Sequence, residues 1–279
     1  MRYLVFLFAL AVTALGWVDE DGYDSSIPDG TLPSGGDGIS LNIIDTFEVP
    51  SVVIMLGLDT HDGSNGLVIV DPYASSLTAV EMGTGNPVWT ISDPYCSFGC
   101  CYNCSSSGWY VNSESDMYYY NGAWSVVFPN PAGQNGRGMD FQNDGNYIWE
   151  TYSNGTTHRI YRIDETGDYN YYTLNVIPGQ MSGLAVFPYN DNLGIFVTCY
   201  CYNDWFLYEF DGSSLTYKGS GYLWVDDFYR SYGLTYHPDT DTFFWSYTEM
   251  ISQEKWIVEV EFTETTLDQS TWGSIKAQF

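Results

Sequence analysis

Asp59 and Asp140 each stand two residues after a glycine, Gly57 and Gly138, in stretches that otherwise read as β-strands. Two carboxylates near one channel mouth could hold a calcium ion, or divide the work of a general acid and a general base. The plainer role for each is to accept hydrogen bonds from a turn or the backbone. Three further glycines, Gly99, Gly183 and Gly233, are followed at the same distance by Cys101, Ala185 and Thr235. Arg137 and Arg230 lie just ahead of two of these segments. In a chain with so few cations they are expected to pair with the acids, with ligand recognition as the alternative.

The six cysteines fall into two groups, Cys96, Cys100, Cys101 and Cys104, and Cys199 and Cys201. In an exported chain they read first as disulfides. Two local bonds are expected among the first four, with three pairings open, and either a strained Cys199–Cys201 link or two free thiols in the second group. A metal site is the weaker reading, because adjacent thiols on a strand point to opposite faces and the structural zinc pair C-x2-C is absent.

His61, His158 and His237 are scattered and show no metalloenzyme spacing. His237-Pro238-Asp239 reads as a turn. The nucleophile elbow G-x-S-x-G and the phosphate loop G-x-x-x-x-G-K-[ST] are both absent. Aromatic residues make up 18% of the chain. Most are expected in a core, leaving Tyr119 and Trp205 among the candidates for stacking on a sugar or gripping a partner.

The elements that must position these residues repeat. The five glycines are 42, 39, 45 and 50 residues apart. Each is followed by an apolar residue or Cys, and in four of the segments a turn rich in Asp, Asn, Gly or Pro then leads into a second strand. A third and a fourth strand come next, for example THRIYRID and YNYYTLNVI. Four short strands per unit of this length is the arithmetic of a β-propeller blade. The fifth unit lacks a clear fourth strand, while LNIIDTFEV at 41–49 is a strand with no unit before it. Placing this strand outermost in the last blade closes the ring and removes exposed sheet edges.

The fold expected is therefore all-β, a five-bladed propeller over 40–265, with blades near 51–93, 94–130, 131–178, 179–226 and 227–265. The x-Gly-apolar inner strands, with turns such as 81–85 (EMGTG) and 164–167 (DETG), resemble the broad NHL, YVTN and quinoprotein-like group of secreted bacterial propellers. The Trp-Asp and Gly-His signatures of WD40 blades are missing. Resemblance to five-bladed glycosidases would imply three acids on inner strands, where only two are placed. The tail at 270–277 also resembles a short C-terminal motif of exported bacterial proteins.

Residues 1–16 read as a signal peptide, so that secretion is expected, to the periplasm, cell surface or medium. Residues 17–39 read as a flexible acidic leader, since a calcium loop on Asp19, Glu20, Asp21 and Asp24 lacks EF-hand spacing; 266–279 is a C-terminal tail. With 8 Lys+Arg against 35 Asp+Glu and a net charge of −27, the chain does not bind bare nucleic acid or an anionic membrane by charge.

Because no catalytic constellation is complete, the sequence leads to a non-enzymatic propeller that binds a glycan or protein through its loops and aromatic rim, with no cofactor beyond a calcium ion at Asp59 and Asp140. The alternatives are a calcium-assisted glycoside hydrolase, lyase or lactonase, and a self-assembling component of a surface layer or filament.

Overall fold

The computed structural model describes residues 39–60, 66–95, 97–142, 144–177, 179–200, 203–223, 225, 228–249 and 251–264. The expected signal peptide, acidic leader and C-terminal tail, together with His61, Cys96 and Cys201, lie outside the described residues, apart from Ile39 at the leader's end.

The described residues form twenty strands in five four-stranded antiparallel sheets. After β1 (Ile39–Glu48), the first blade comprises β2 (Gly57–Thr60), β3 (Gly66–Asp71), β4 (Ser76–Glu81) and β5 (Pro87–Ser92). The second comprises β6 (Gly99–Asn103), β7 (Gly108–Asn112), β8 (Asp116–Tyr120) and β9 (Trp124–Pro129). A single 3-10 turn, Gly133–Asn135, leads into the third: β10 (Gly136–Gln142), β11 (Tyr147–Ser153), β12 (His158–Asp164) and β13 (Tyr169–Leu174). The fourth is β14 (Met181–Tyr189), β15 (Asn192–Cys199), β16 (Asp204–Phe210) and β17 (Leu215–Tyr222). The fifth joins β18 (Phe228–His237), β19 (Thr242–Glu249) and β20 (Lys255–Glu264) to β1, which pairs antiparallel with β20 from Ile39↔Glu264 to Glu48↔Trp256. The expected five blades and the closure by the N-terminal strand are both present.

The apolar residues of each blade face its neighbours, so the core lies between blades. Five clusters fill the five gaps, among them Trp205 with Trp245 between blades four and five, and Trp149 with Phe206 between three and four. Burial on both faces explains why the inner strands carry near-continuous apolar runs.

The repeat glycines sit where the inner strands crowd the axis. A Cβ on Gly57 would stand 2.8 Å from the Gly99 Cα, and one on Gly138 would stand 2.7 Å from the Gly183 carbonyl carbon. Only glycine permits that approach.

In blades two, four and five, a buried polar residue on the second strand accepts the glycine's N–H: Asn112 Oδ1 for Gly99 (2.6 Å), Thr198 Oγ1 for Gly183 (3.0 Å) and Ser246 Oγ for Gly233 (2.8 Å). In blade three, Thr151 Oγ1 instead donates to the Gly138 carbonyl (3.5 Å). A buried backbone group without a partner would cost about 1–3 kcal/mol, which is the reason these positions are polar. The glycine ring thus divides the axial channel into two ends.

Candidate functional site

At the end reached by the C-terminal halves of the inner strands, a cavity of about 350 Å³ opens to solvent. That volume lies within the range of small-molecule sites. Asp59 and Asp140 both line it, 5% and 8% exposed.

Each carboxylate ties one blade to the next. Asp59 Oδ2 accepts the Tyr102 N–H of blade two at 2.6 Å, and its Oδ1 accepts the Thr235 hydroxyl of blade five at 2.9 Å and the Thr60 N–H at 2.8 Å. Asp140 repeats the device one blade pair further on, accepting Val186 N–H at 2.5 Å and Phe141 N–H at 2.6 Å. The residue that donates across the gap, Tyr102 or Val186, is third after its own glycine. The acids therefore do accept backbone hydrogen bonds, and they also face the cavity.

Burial dominates their protonation. It pushes Asp59 up to about 7 against the opposing pull of the Thr60, Tyr102 and Thr235 hydrogen bonds. Asp140 is raised well above the usual carboxylate range, first by burial and then by the charge of Asp59. Both acids therefore hold their protons to higher pH than an ordinary carboxyl group, and the charge of Asp59 adds to the rise at Asp140.

The residues present do not make a calcium site. A hard cation takes six to eight oxygen ligands, whereas these carboxylates already receive N–H or O–H donors and resist ionisation by burial. Among the described residues no group of three His, Cys, Asp or Glu could hold a metal ion.

His237 also lines the cavity and is 4% exposed. The sequence marked it as a turn residue, and its Nδ1 does accept the Thr240 N–H at 3.3 Å. The neutral ring then carries its proton on Nε2, which has no hydrogen-bond partner among the described residues. Two exposed acids at the mouth, Asp144 and Asp239, and the rings of Tyr102, Phe141, Phe187 and Tyr236 complete the surroundings.

These residues were missed because they lie in the later half of an inner strand or in the turn after it, where the sequence shows ordinary strand and turn residues and no catalytic spacing. The signal that was available is positional: the cavity gathers side chains that stand two to six positions after a repeat glycine.

The arginines do not pair with the acids. Arg137 lies beyond the glycine ring, donating through Nη1 to the carbonyls of Gln134 (2.8 Å) and Gly136 (2.6 Å), with its guanidinium 4.3 Å from the Phe98 ring centre. Arg230 stands 5.7 Å from the Tyr200 ring centre. An arginine ahead of the glycine is carried to the opposite end from an acid behind it.

Trp205 is 1% exposed and part of the core, so it presents no stacking surface. Tyr119 is half-buried, stacks at a tilt 4.8 Å from Tyr110, and donates its hydroxyl to Ser106 Oγ at 2.7 Å.

Cys100, Cys101 and Cys199 are buried free thiols, which removes the Cys199–Cys201 link and any pairing through Cys100 or Cys101; Cys104 is exposed. Adjacent thiols diverge on a strand: Cys100 packs between blades one and two, Cys101 between two and three. Burial raises both thiols well above their ordinary range, and they are not reactive.

No family model matches the chain, and no curated protein sequence is significantly similar to it. Solved structures do match. The glutaminyl cyclase of Myxococcus xanthus superposes with a TM-score of 0.59 at 15% identity, over 81% of this chain and 97% of that one. An aldose sugar dehydrogenase of Streptomyces coelicolor, solved with PQQ bound, gives 0.55 at 13% identity, over 82% and 100%. A gluconolactonase of Xanthomonas campestris gives 0.50 at 12% identity, over 84% and 98%.

What they share with this chain is the β-propeller. The proteins of this fold that it matches are mostly enzymes. Together with two buried acids facing a cavity, this overturns the expectation of a non-enzymatic binding module in favour of its enzymatic alternative. No helix among the described residues is long and apolar enough to cross a membrane.

Proposed function

We propose that the chain is an acid–base enzyme, a hydrolase or lyase working on a small molecule held in the cavity at the C-terminal ends of the inner strands. The observation that carries this reading is that Asp59 and Asp140, both buried and both raised in proton affinity by that burial, line one cavity. Two carboxyl groups with raised proton affinities on one cavity are the equipment of general acid–base catalysis, which contributes about 10²–10⁴-fold in rate.

In the hydrolytic case Asp140, whose proton is held by burial and by the charge of Asp59, gives that proton to the leaving oxygen, while the Asp59 carboxylate takes a proton from the attacking water. The bond to the leaving group breaks as the bond to water oxygen forms. Proton exchange with solvent then restores the pair. The His237 Nε2–H supplies a donor that can orient a substrate oxygen. Access supports these roles, since both acids keep an exposed face on the cavity while the backbone amides fix their orientation.

The test is turnover of aryl glycosides and lactones by the purified chain, with kcat/KM followed from pH 4 to 9. A bell-shaped profile, and a loss of about 10²-fold or more in Asp140→Asn with unchanged circular dichroism, is the expected result. Equal rates in Asp140→Asn, or no turnover of either class, would remove the reading.

A further inference from the structure

We infer that the cavity selects a cationic ligand, an ammonium group carried on an apolar or aromatic body; this rests on the proposed active site and names its substrate class. Charge and wall chemistry agree. Among the described residues four carboxyl groups line the cavity, Asp59 and Asp140 within it and Asp144 and Asp239 at its mouth, and no Lys or Arg does. The chain's net charge of −27 draws cations towards this opening and repels anions, an effect that low-dielectric walls concentrate.

Tyr102, Phe141, Phe187 and Tyr236 also line this space, so it is bordered by aromatic residues of four blades. Aromatic faces attract cations within about 6 Å of the ring centre. Phe187 and Tyr236 lie 5.7 Å apart, so their blades present neighbouring rings to one ligand.

A second observation is independent of the acids. His237, 4% exposed, lines this space with an Nε2–H that has no partner among the described residues. This donor faces the cavity without a protein acceptor among the described residues, and a ligand oxygen would accept its hydrogen bond. The ligand is thus a cation bearing a hydrogen-bond acceptor. The opposite end of the channel shows that the chain can place arginine against aromatic rings, as with Arg137 over Phe98, and among the described residues it places none here.

The experiment is calorimetric titration of the purified chain at pH 7 and 150 mM salt with three probes of one size: benzyltrimethylammonium, benzyl alcohol and phenylacetate. The cation is expected to bind about tenfold or more tightly than the alcohol, with phenylacetate weakest. Its binding should also release protons, read as a heat that changes between buffers of different ionisation enthalpy, because a cation beside the acid pair favours the ionised form.

Asp144→Asn with Asp239→Asn, both exposed positions, should narrow the cation preference severalfold without altering the fold. Equal affinity for cation and alcohol, or a preference untouched in the double variant, overturns the inference. Cation selectivity with no turnover of any substrate would sink the catalytic reading and keep this one, whereas turnover of neutral substrates without selectivity would do the reverse.

Discussion

The two ends of the axial channel hold buried carboxyl groups in opposite ways. Asp59 and Asp140 are gripped by backbone N–H groups of neighbouring blades and border a cavity. At the other end, Glu150 is wholly buried, and its Oε1 accepts the side-chain amides of Asn112 (2.5 Å) and Asn130 (3.1 Å). Below it the axis is filled by Ile54, Leu56, Tyr200 and Tyr232.

Burial pushes Glu150 up to about 7 as well, against Asn112, Asn130 and the charge of Arg137. A raised proton affinity therefore does not separate a structural acid from a chemical one; access does. Glu150 is a fastener between blades two and three, and the aspartates are fasteners with one face left open.

Glu150→Ala should break this contrast most violently. Removing the acid leaves Asn112, Asn130 and the nearby Arg137 without it, and a loss of about 3–5 kcal/mol in denaturant unfolding is expected. Asp59→Asn should cost less, about 1–3 kcal/mol, because an amide keeps an acceptor but turns its NH2 towards a backbone or hydroxyl donor. Thermal melting paired with the turnover assay separates the two: Glu150→Ala loses activity only as it unfolds, whereas Asp59→Asn loses it while folded.

The pH dependence of stability arises from the same groups. Asp59 and Glu150 bind protons more tightly folded, at about 7, than at their ordinary values of 3.8 and 4.5. The stabilisation is thus full below about pH 4 and drains away as pH rises through about 7. Melting temperature should fall from pH 5 to pH 8, and the fall should be shallower in Glu150→Gln. A rise over that range would contradict the buried placement of both acids. The smallest effect belongs to Lys218→Ala, which removes a half-buried 2.9 Å ion pair with Glu209 on blade four. A change under about 0.5 kcal/mol is expected there.

The propeller was legible because its devices recur: five glycines that crowd the axis, turn residues after each inner strand, and an orphan strand at 41–49 matched to a deficient last unit. The two aspartates were legible for the same reason, being equivalent positions. Their partners were not. The amide that Asp59 accepts lies 43 residues away at Tyr102, and a backbone N–H leaves no mark on the choice of side chain.

The arginines misled because proximity in sequence to a glycine says nothing about which side of it a residue falls. Trp205 misled because both faces of a blade are interior, so a tryptophan beside polar residues can still be wholly enclosed. The cysteine cluster reads as a disulfide framework only until strand alternation sends Cys100 and Cys101 into different interblade spaces.

Ring closure has a consequence for how the molecule comes into being. The hydroxyls of Ser40 and Thr263 meet at 2.8 Å across 223 residues of sequence, so the last blade cannot be completed until β20 has been synthesised. The entropy of closing so long a loop grows only as the logarithm of its length, but contacts between such distant residues form late and slowly. During synthesis the first four blades can assemble in order while β1 waits unpaired. Amides of β1 and β20 should therefore be the last to gain protection in a refolding experiment, and a circular permutant that joins these two strands by a short turn should refold faster with the same blades.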